Sequence, residues 1–273
     1  MPLALALALV AIAGGTLSTY LYDERSSPSA RVCAGACLGL AALGIAGYFL
    51  AAAIGFTQAS LFIAAAVTLF PLALLLSGSY RARARADAVR ALHSIRRIVT
   101  QPTRRDAIYF TFYAFAVVVL YMVFDRAMFE REGGIFTGVA NNYGDLPFHL
   151  SVITRFVYGH NFPPEAPMYA GARFTYPFVP DFITAMLMLA GASLEQAIFI
   201  QSLIVGMALV GLLHNWGLAL TRDRIAALIT PILVLLGGGL GWLLLLKEAR
   251  ATELGVLPML TQLIQDYTIR PGT

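Results

Sequence analysis

Six stretches of about twenty mostly apolar residues, 2–22, 32–54, 58–78, 107–128, 197–219 and 225–246, follow one another along this 273-residue chain. A run of that length, wound as an α-helix, crosses the hydrocarbon core of a bilayer. A helix also satisfies its own backbone polar groups where no water can do so. The pattern predicts an all-α, polytopic transmembrane helix bundle of about six spans. Composition points the same way, since 59% hydrophobic against 12% charged residues is a balance that polar surface could not cover in water. The apolar segment 177–192 is short for a span and holds Pro177, Pro180 and Asp181, so it reads as a helix lying in the interface. Residues 1–18 lack a Lys or Arg ahead of their apolar stretch, which reads as a mature span rather than a signal peptide.

Between the third and fourth runs lie Arg81, Arg83, Arg85, Arg90, Arg96, Arg97, Arg104 and Arg105, opposed by Asp87 and Asp106. The excess of Arg beside spans marks a cytoplasmic loop. Alternation then puts 129–196 outside and Arg222 and Arg224 inside, as the same rule requires. Val89, Leu92, Ile95, Ile98 and Val99 recur at helical spacing among the arginines, a basic helix of the kind that lies on an anionic leaflet. Membrane topology therefore accounts for the net charge of +4, and no nucleic-acid partner is expected. The chain divides into a three-span unit (1–78), a basic loop (79–106) and a membrane unit (107–273) with its external loop and an external tail from Lys247. Cys33 and Cys37 share a helical face without a nearby His, Asp or Glu and read as small apolar fillers.

A connection as long as 129–196 is unusual unless it carries function. Within it, Gly144-Asp145-Leu146-Pro147 looks like a helix start, the helix running to about Tyr158. His149 then falls one turn after Asp145, with Arg155 nearly two turns further on, so acid, base and cation can share a face. Such a carboxylate can act as general base towards a hydroxyl or help to hold a divalent cation, and His149 can join either task. The same residues also admit a plainer account, with Asp145 an N-cap and His149 an interfacial packing residue. Asp125, the rival carboxylate, reads as a span-end charge beside Arg126. Further along, His160, Arg173 and Tyr176 supply rings that stack on sugar or lipid groups and a guanidinium that can neutralise a phosphate. An aromatic belt with a snorkelling Arg is the alternative.

These residues resemble the type C glycosyltransferase superfamily, polytopic membrane enzymes that take sugars from polyprenyl-phosphate carriers. The resemblance covers about residues 107–245. Gly144-Asp145-Leu146-Pro147-Phe148-His149 stands at the acidic position of the first external loop, Tyr176-Pro177 opens the interfacial helix, and Leu220-Thr221-Arg222-Asp223-Arg224 matches the basic turn. It implies that Asp145 is the general base or the organiser of a cation and acceptor, with His149 its helper. Arg155, His160, Arg173 and Tyr176 are then the candidate substrate contacts, and a divalent metal at Asp145 and His149 is the candidate cofactor. The implied partners are the bilayer and a polyprenyl-phosphate sugar. Members usually have more than six spans, so the chain reads as a fragment or as one part of a larger enzyme. Two other classes stay open. A transporter or flippase calls for ionisable residues deep within spans and for half-helices, of which the sequence shows few; a non-catalytic scaffold of the same architecture needs neither.

Overall fold

The computed structural model describes residues 1–138 and 142–237, together with Lys247 and Arg250. The protein is an all-α helical bundle of a membrane. In chain order the helices are α1 (Pro2–Ser18), α2 (Pro28–Ile54), α3 (Gln58–Thr68), α4 (Gly78–Thr100), α5 (Arg104–Ala127), α6 (Asn142–Gly159), α7 (Val179–Leu189), α8 (Leu194–Thr221) and α9 (Arg224–Leu236). Counting the 3₁₀ turns that extend α1 to Leu21 and α3 to Leu76, five helical segments among the described residues are long and apolar enough to cross a membrane: α1, α2, α3, α5 and α8. The sixth expected span is seen as the short apolar helix α9, and its remainder, 238–246, lies outside the described residues, as does nearly all of the expected external tail. A small antiparallel hairpin, β1 (Phe129–Arg131) and β2 (Gly134–Phe136), which the apolar pattern does not foreshadow, follows α5.

The helix ends are written locally. Ser27 caps α2 ahead of Pro28, while Thr57, Thr103 and Ser193 each close a capping box with the residue three positions on. In each case side-chain oxygens take up N–H groups that have no partner within the helix. Asp223 does the same for α9, accepting from the Ile225 and Ala226 amides at 2.7 and 2.9 Å.

α1 and α2 approach backbone to backbone. A side chain at Gly39 would run into the Ala11 carbonyl, and one at Gly15 into the Gly35 carbonyl. Small residues permit this closeness between membrane helices, where dispersion contact rather than water exclusion holds helices together. α2 is the centre of the bundle, packing on α1, α3, α7 and α8, and α8 in turn packs on α5 and α9. α3 packs on α2 and α1, and α5 on α8.

The two ends of the bundle differ in chemistry. At one end the Met1 ammonium donates to the Gly191 carbonyl, and the Gln58 amide donates to the Leu189 carbonyl at 2.6 Å. At the other, Ser27 Oγ donates to Asn215 Oδ1 at 3.1 Å, and Asp87 of α4 accepts from Tyr20 at 2.8 Å and from Arg31 at 3.2 Å. α6, α7 and the connection between them occupy the first end, and the arginine-rich α4 the second.

α7 is shorter than a span, as expected, and it is packed inside the bundle rather than lying bare on it. Residues Asp181 to Leu187 are all buried, because α7 is inserted between α2, α6 and α8. Gly44 and Gly47 of α2 make the room: a side chain at Gly44 would meet Ile183, and one at Gly47 would meet Met186. Gly44 is roughly 15 Å from the end of α2 at Ile54, at about 1.5 Å per residue. α7 thus begins inside the bundle and ends at its surface.

Replacing Gly39 with Leu is expected to destabilise the protein by more than about 3 kcal/mol, beyond ordinary overpacking because the obstacle is backbone. Thermal unfolding in detergent should show it, with Gly78→Ala, where nothing lies within 4 Å, melting like the wild type.

Candidate active site

α6 starts at Asn142, two residues before the expected helix start at Gly144, so Asp145 lies in its first turn rather than at the cap. A carboxylate there still meets the positive end of the helix dipole. Asp145 is exposed and has no ion-pair or hydrogen-bond partner among the described residues. His149 follows one turn later on the same side of the helix.

His149 does not turn back to Asp145. Its Nδ1 lies 3.0 and 3.2 Å from the two carboxylate oxygens of Asp181, the third residue of α7. Asp181 is 6% exposed, whereas the imidazole keeps 36% of its surface open. The buried carboxylate accepts the Nδ1 proton and so fixes ring orientation and tautomer, which leaves Nε2 as the free nitrogen. Burial raises the Asp181 carboxyl above the ordinary carboxylate range, and the charge and hydrogen bond of His149 pull against that rise.

A second layer fixes the pair. Gln201 of α8 donates to the Pro180 carbonyl at 3.0 Å and accepts from the Thr184 hydroxyl at 3.1 Å. Both contacts pin the first turn of α7, and Gln201 is itself about 10 Å along α8 from Leu194. Tyr176 covers the imidazole, with ring centroids 5.9 Å apart, and meets Phe148 edge-on at 5.1 Å.

The connection from His160 to Phe178 is irregular yet fully stitched. Asn161, buried, accepts from the Glu165 amide and donates to the Glu165 carbonyl, both at 3.0 Å. Arg155 donates to the Ala166 carbonyl at 3.2 Å, and Glu165 bridges to Arg173 as a single antiparallel pair. Underneath, Phe156, Phe162, Phe178 and Phe182 pack against one another and against Tyr48 of α2, with centroids 5.0 to 6.0 Å apart. Edge-to-face contacts of this kind add to simple burial.

Of the residues singled out in the sequence, Asp145, His149 and Tyr176 belong to one patch. Arg155 is occupied in holding the connection. His160 and Arg173 are exposed on that connection, and among the described residues the hydrogen-bond and ring partners of His149 are Asp181, Phe148 and Tyr176. Asp125 lines a separate cleft of about 140 Å³ with Glu195 and is not paired with Arg126 among the described residues. Cys33 lines another, of about 370 Å³, between α2, α5 and α8, far along α8 from the imidazole. Asp181 is the partner of His149 that spacing did not reveal. Its signal was an acid inside an apolar stretch, which in a membrane protein marks a site by default.

Among the described residues no three His, Cys, Asp or Glu side chains converge as a metal cage. The donors at the patch, His149 Nε2 and the Asp145 carboxylate, are two in number, and the imidazole suits a transition metal better than a hard, oxygen-seeking cation. No known protein family, curated protein or solved structure matches this chain.

His149→Ala removes the interaction that lowers the Asp181 carboxyl. The protonated-carboxyl infrared band of Asp181 should then persist to higher pH than in the wild type, and should disappear in a His149→Ala, Asp181→Asn double variant. Separately, Asn161→Leu removes both bonds to the Glu165 backbone and should cost about 1–3 kcal/mol. Limited proteolysis should then cut between 160 and 176, where the wild type resists.

Proposed function

We propose that the chain is a membrane glycosyltransferase of the type C kind, moving a sugar from a polyprenyl-phosphate donor to an acceptor hydroxyl. The observation that carries the reading is His149, half open to its surroundings and oriented through Nδ1 by the buried Asp181, with Asp145 one turn away. In this reading His149 Nε2 takes the acceptor O–H proton while the acceptor oxygen forms its bond to the anomeric carbon. The bond from that carbon to the phosphate oxygen breaks, and the lipid phosphate leaves with the electron pair. Arg173, exposed on the connection, offsets the growing negative charge, and Asp145 stabilises the imidazolium or a cation bound with the phosphate. Tyr176 and Phe148 offer the sugar faces on which to stack. The arginine-rich end sits in the cytoplasm, by the positive-inside rule, and the site end outside the plasma membrane.

A transporter is the second reading, favoured by α7. A short helix that begins inside the bundle, with a buried acid in its first turn, is the kind of element that gates ion or solute sites.

The test is label transfer from a panel of polyprenyl-phosphate sugars in membranes holding the full-length gene product. Wild-type transfer should fall at least about 100-fold in His149→Ala, the usual scale for losing a general base, and should also fall in Asp145→Asn. Transfer unaffected by either change would remove this site from the chemistry. Absence of transfer across the panel, with substrate-coupled proton flux in proteoliposomes that Asp181→Asn abolishes, would establish the transporter instead.

A further inference from the structure

The basic helix α4 takes no part in the reaction proposed above, and its surroundings are unlike those of the other helices. α4 has 23 residues, about 35 Å of helix. The span before it ends at Leu76 and the span after it begins at Arg104, so both of its ends are held at the same face of the bundle. Along its length α4 meets Glu24 through Arg83, Tyr20 and Arg31 through Asp87, and Asp106 of α5 through Arg97, so it runs across the end of the bundle rather than away from it.

One buried contact fixes its rotation. Asp87, the only buried residue of α4, accepts from Tyr20 at 2.8 Å and from Arg31 at 3.2 Å, and it is also paired with Arg90. Arg31 is 3% exposed, stacks over the Tyr20 ring at 4.2 Å and donates to Thr19. With Asp87 turned to the bundle, a spacing of 100° per residue places Ala88, Leu92, Ile95 and Val99 about a quarter turn away. That stripe is unpartnered: Leu92, Ile95 and Val99 are 67%, 59% and 75% exposed.

The charges around it are also unspent. The nearby acids are occupied, Glu24 by Arg83, Asp87 by Arg31 and Arg90, and Asp106 by Arg97. Arg81, Arg85, Arg96, Arg104 and Arg105 form no ion pair among the described residues. We infer that α4 is a docking surface for an anionic lipid leaflet, its Leu92–Ile95–Val99 stripe entering the headgroup boundary while these five arginines meet lipid phosphates. The occupant is lipid because the helix is pinned at both ends to the membrane face, and because an apolar stripe flanked by Arg matches the depth profile of a leaflet, apolar below and anionic above. Asp87 is the fixed point about which the stripe is presented.

The full-length protein tests this in nanodiscs, with Cys33 and Cys37 replaced by Ala and a single environment-sensitive label at Ile95→Cys. The expected result is that water-borne iodide quenches the label several-fold less in discs containing phosphatidylglycerol than in pure phosphatidylcholine discs, and that high salt restores quenching. A label at His93→Cys, on the opposite side of the helix, should stay equally quenched in both. Replacing the five arginines with Gln should abolish the difference, and Arg96→Gln alone should weaken it about five-fold. Equal quenching at position 95 in both lipids would overturn the inference. So would protection seen only in native membranes and absent from pure-lipid discs, which would assign the stripe to a protein partner.

Discussion

Hydrocarbon offers a backbone no hydrogen-bond partner except itself, and the rest of this structure follows from how the chain meets that demand. The long helices meet it alone, with caps at their ends. α7 and the irregular path before it cannot. α7 is tolerated because α2, α6 and α8 enclose it, and the path before it because its backbone bonds within itself, through the Asn161 clamp and the bonds from Ala166 to Ala172 and from Phe174 to Pro164, at 2.8 and 3.0 Å. The enclosure depends on Gly44 and Gly47, which let α7 sit against α2.

Two buried carboxylates mark the two ends of the bundle, and they are balanced differently. Burial works to raise the Asp87 carboxyl, but hydrogen bonds from Arg90 and Tyr20 and the charges of Arg90 and Arg31 hold it below its ordinary range. Its partners are arginines that never give up a proton, so the contact is a fastening. It is fully present above the ordinary carboxylate range and is lost only as acid protonates Asp87. Asp181 is instead raised by its burial, with the charge and hydrogen bond of His149 pulling against that rise. The two ends of the bundle therefore hold their buried acids in opposite directions.

The bundle was legible because membrane spans are read from single windows of sequence. Five of the six expected segments are seen as span-length helices, and the helix around Asp145 and His149 was placed to within two residues at its start. The partner of His149 was not legible, because it lies 32 positions away. Helical spacing relates residues within α6; only the insertion of α7 brings Asp181 to the imidazole. In the sequence Asp181 counts against 177–192 as a span, and in three dimensions the same acid is what orients His149. The burial of that segment was not legible for a related reason: length excludes a span, but nothing local records the two glycines of α2 that make room for it.

Sequence drift should be unequal along this chain. From Asp181 to Leu187 every position of α7 is enclosed, so each substitution must answer to neighbours on all sides. α5 has no buried residue at all, and along its length one apolar residue can replace another at little cost. Descendants of this protein would keep α7 nearly letter for letter while α5 wandered among Val, Ile, Leu and Phe, recognisable by its hydropathy long after its letters had ceased to align.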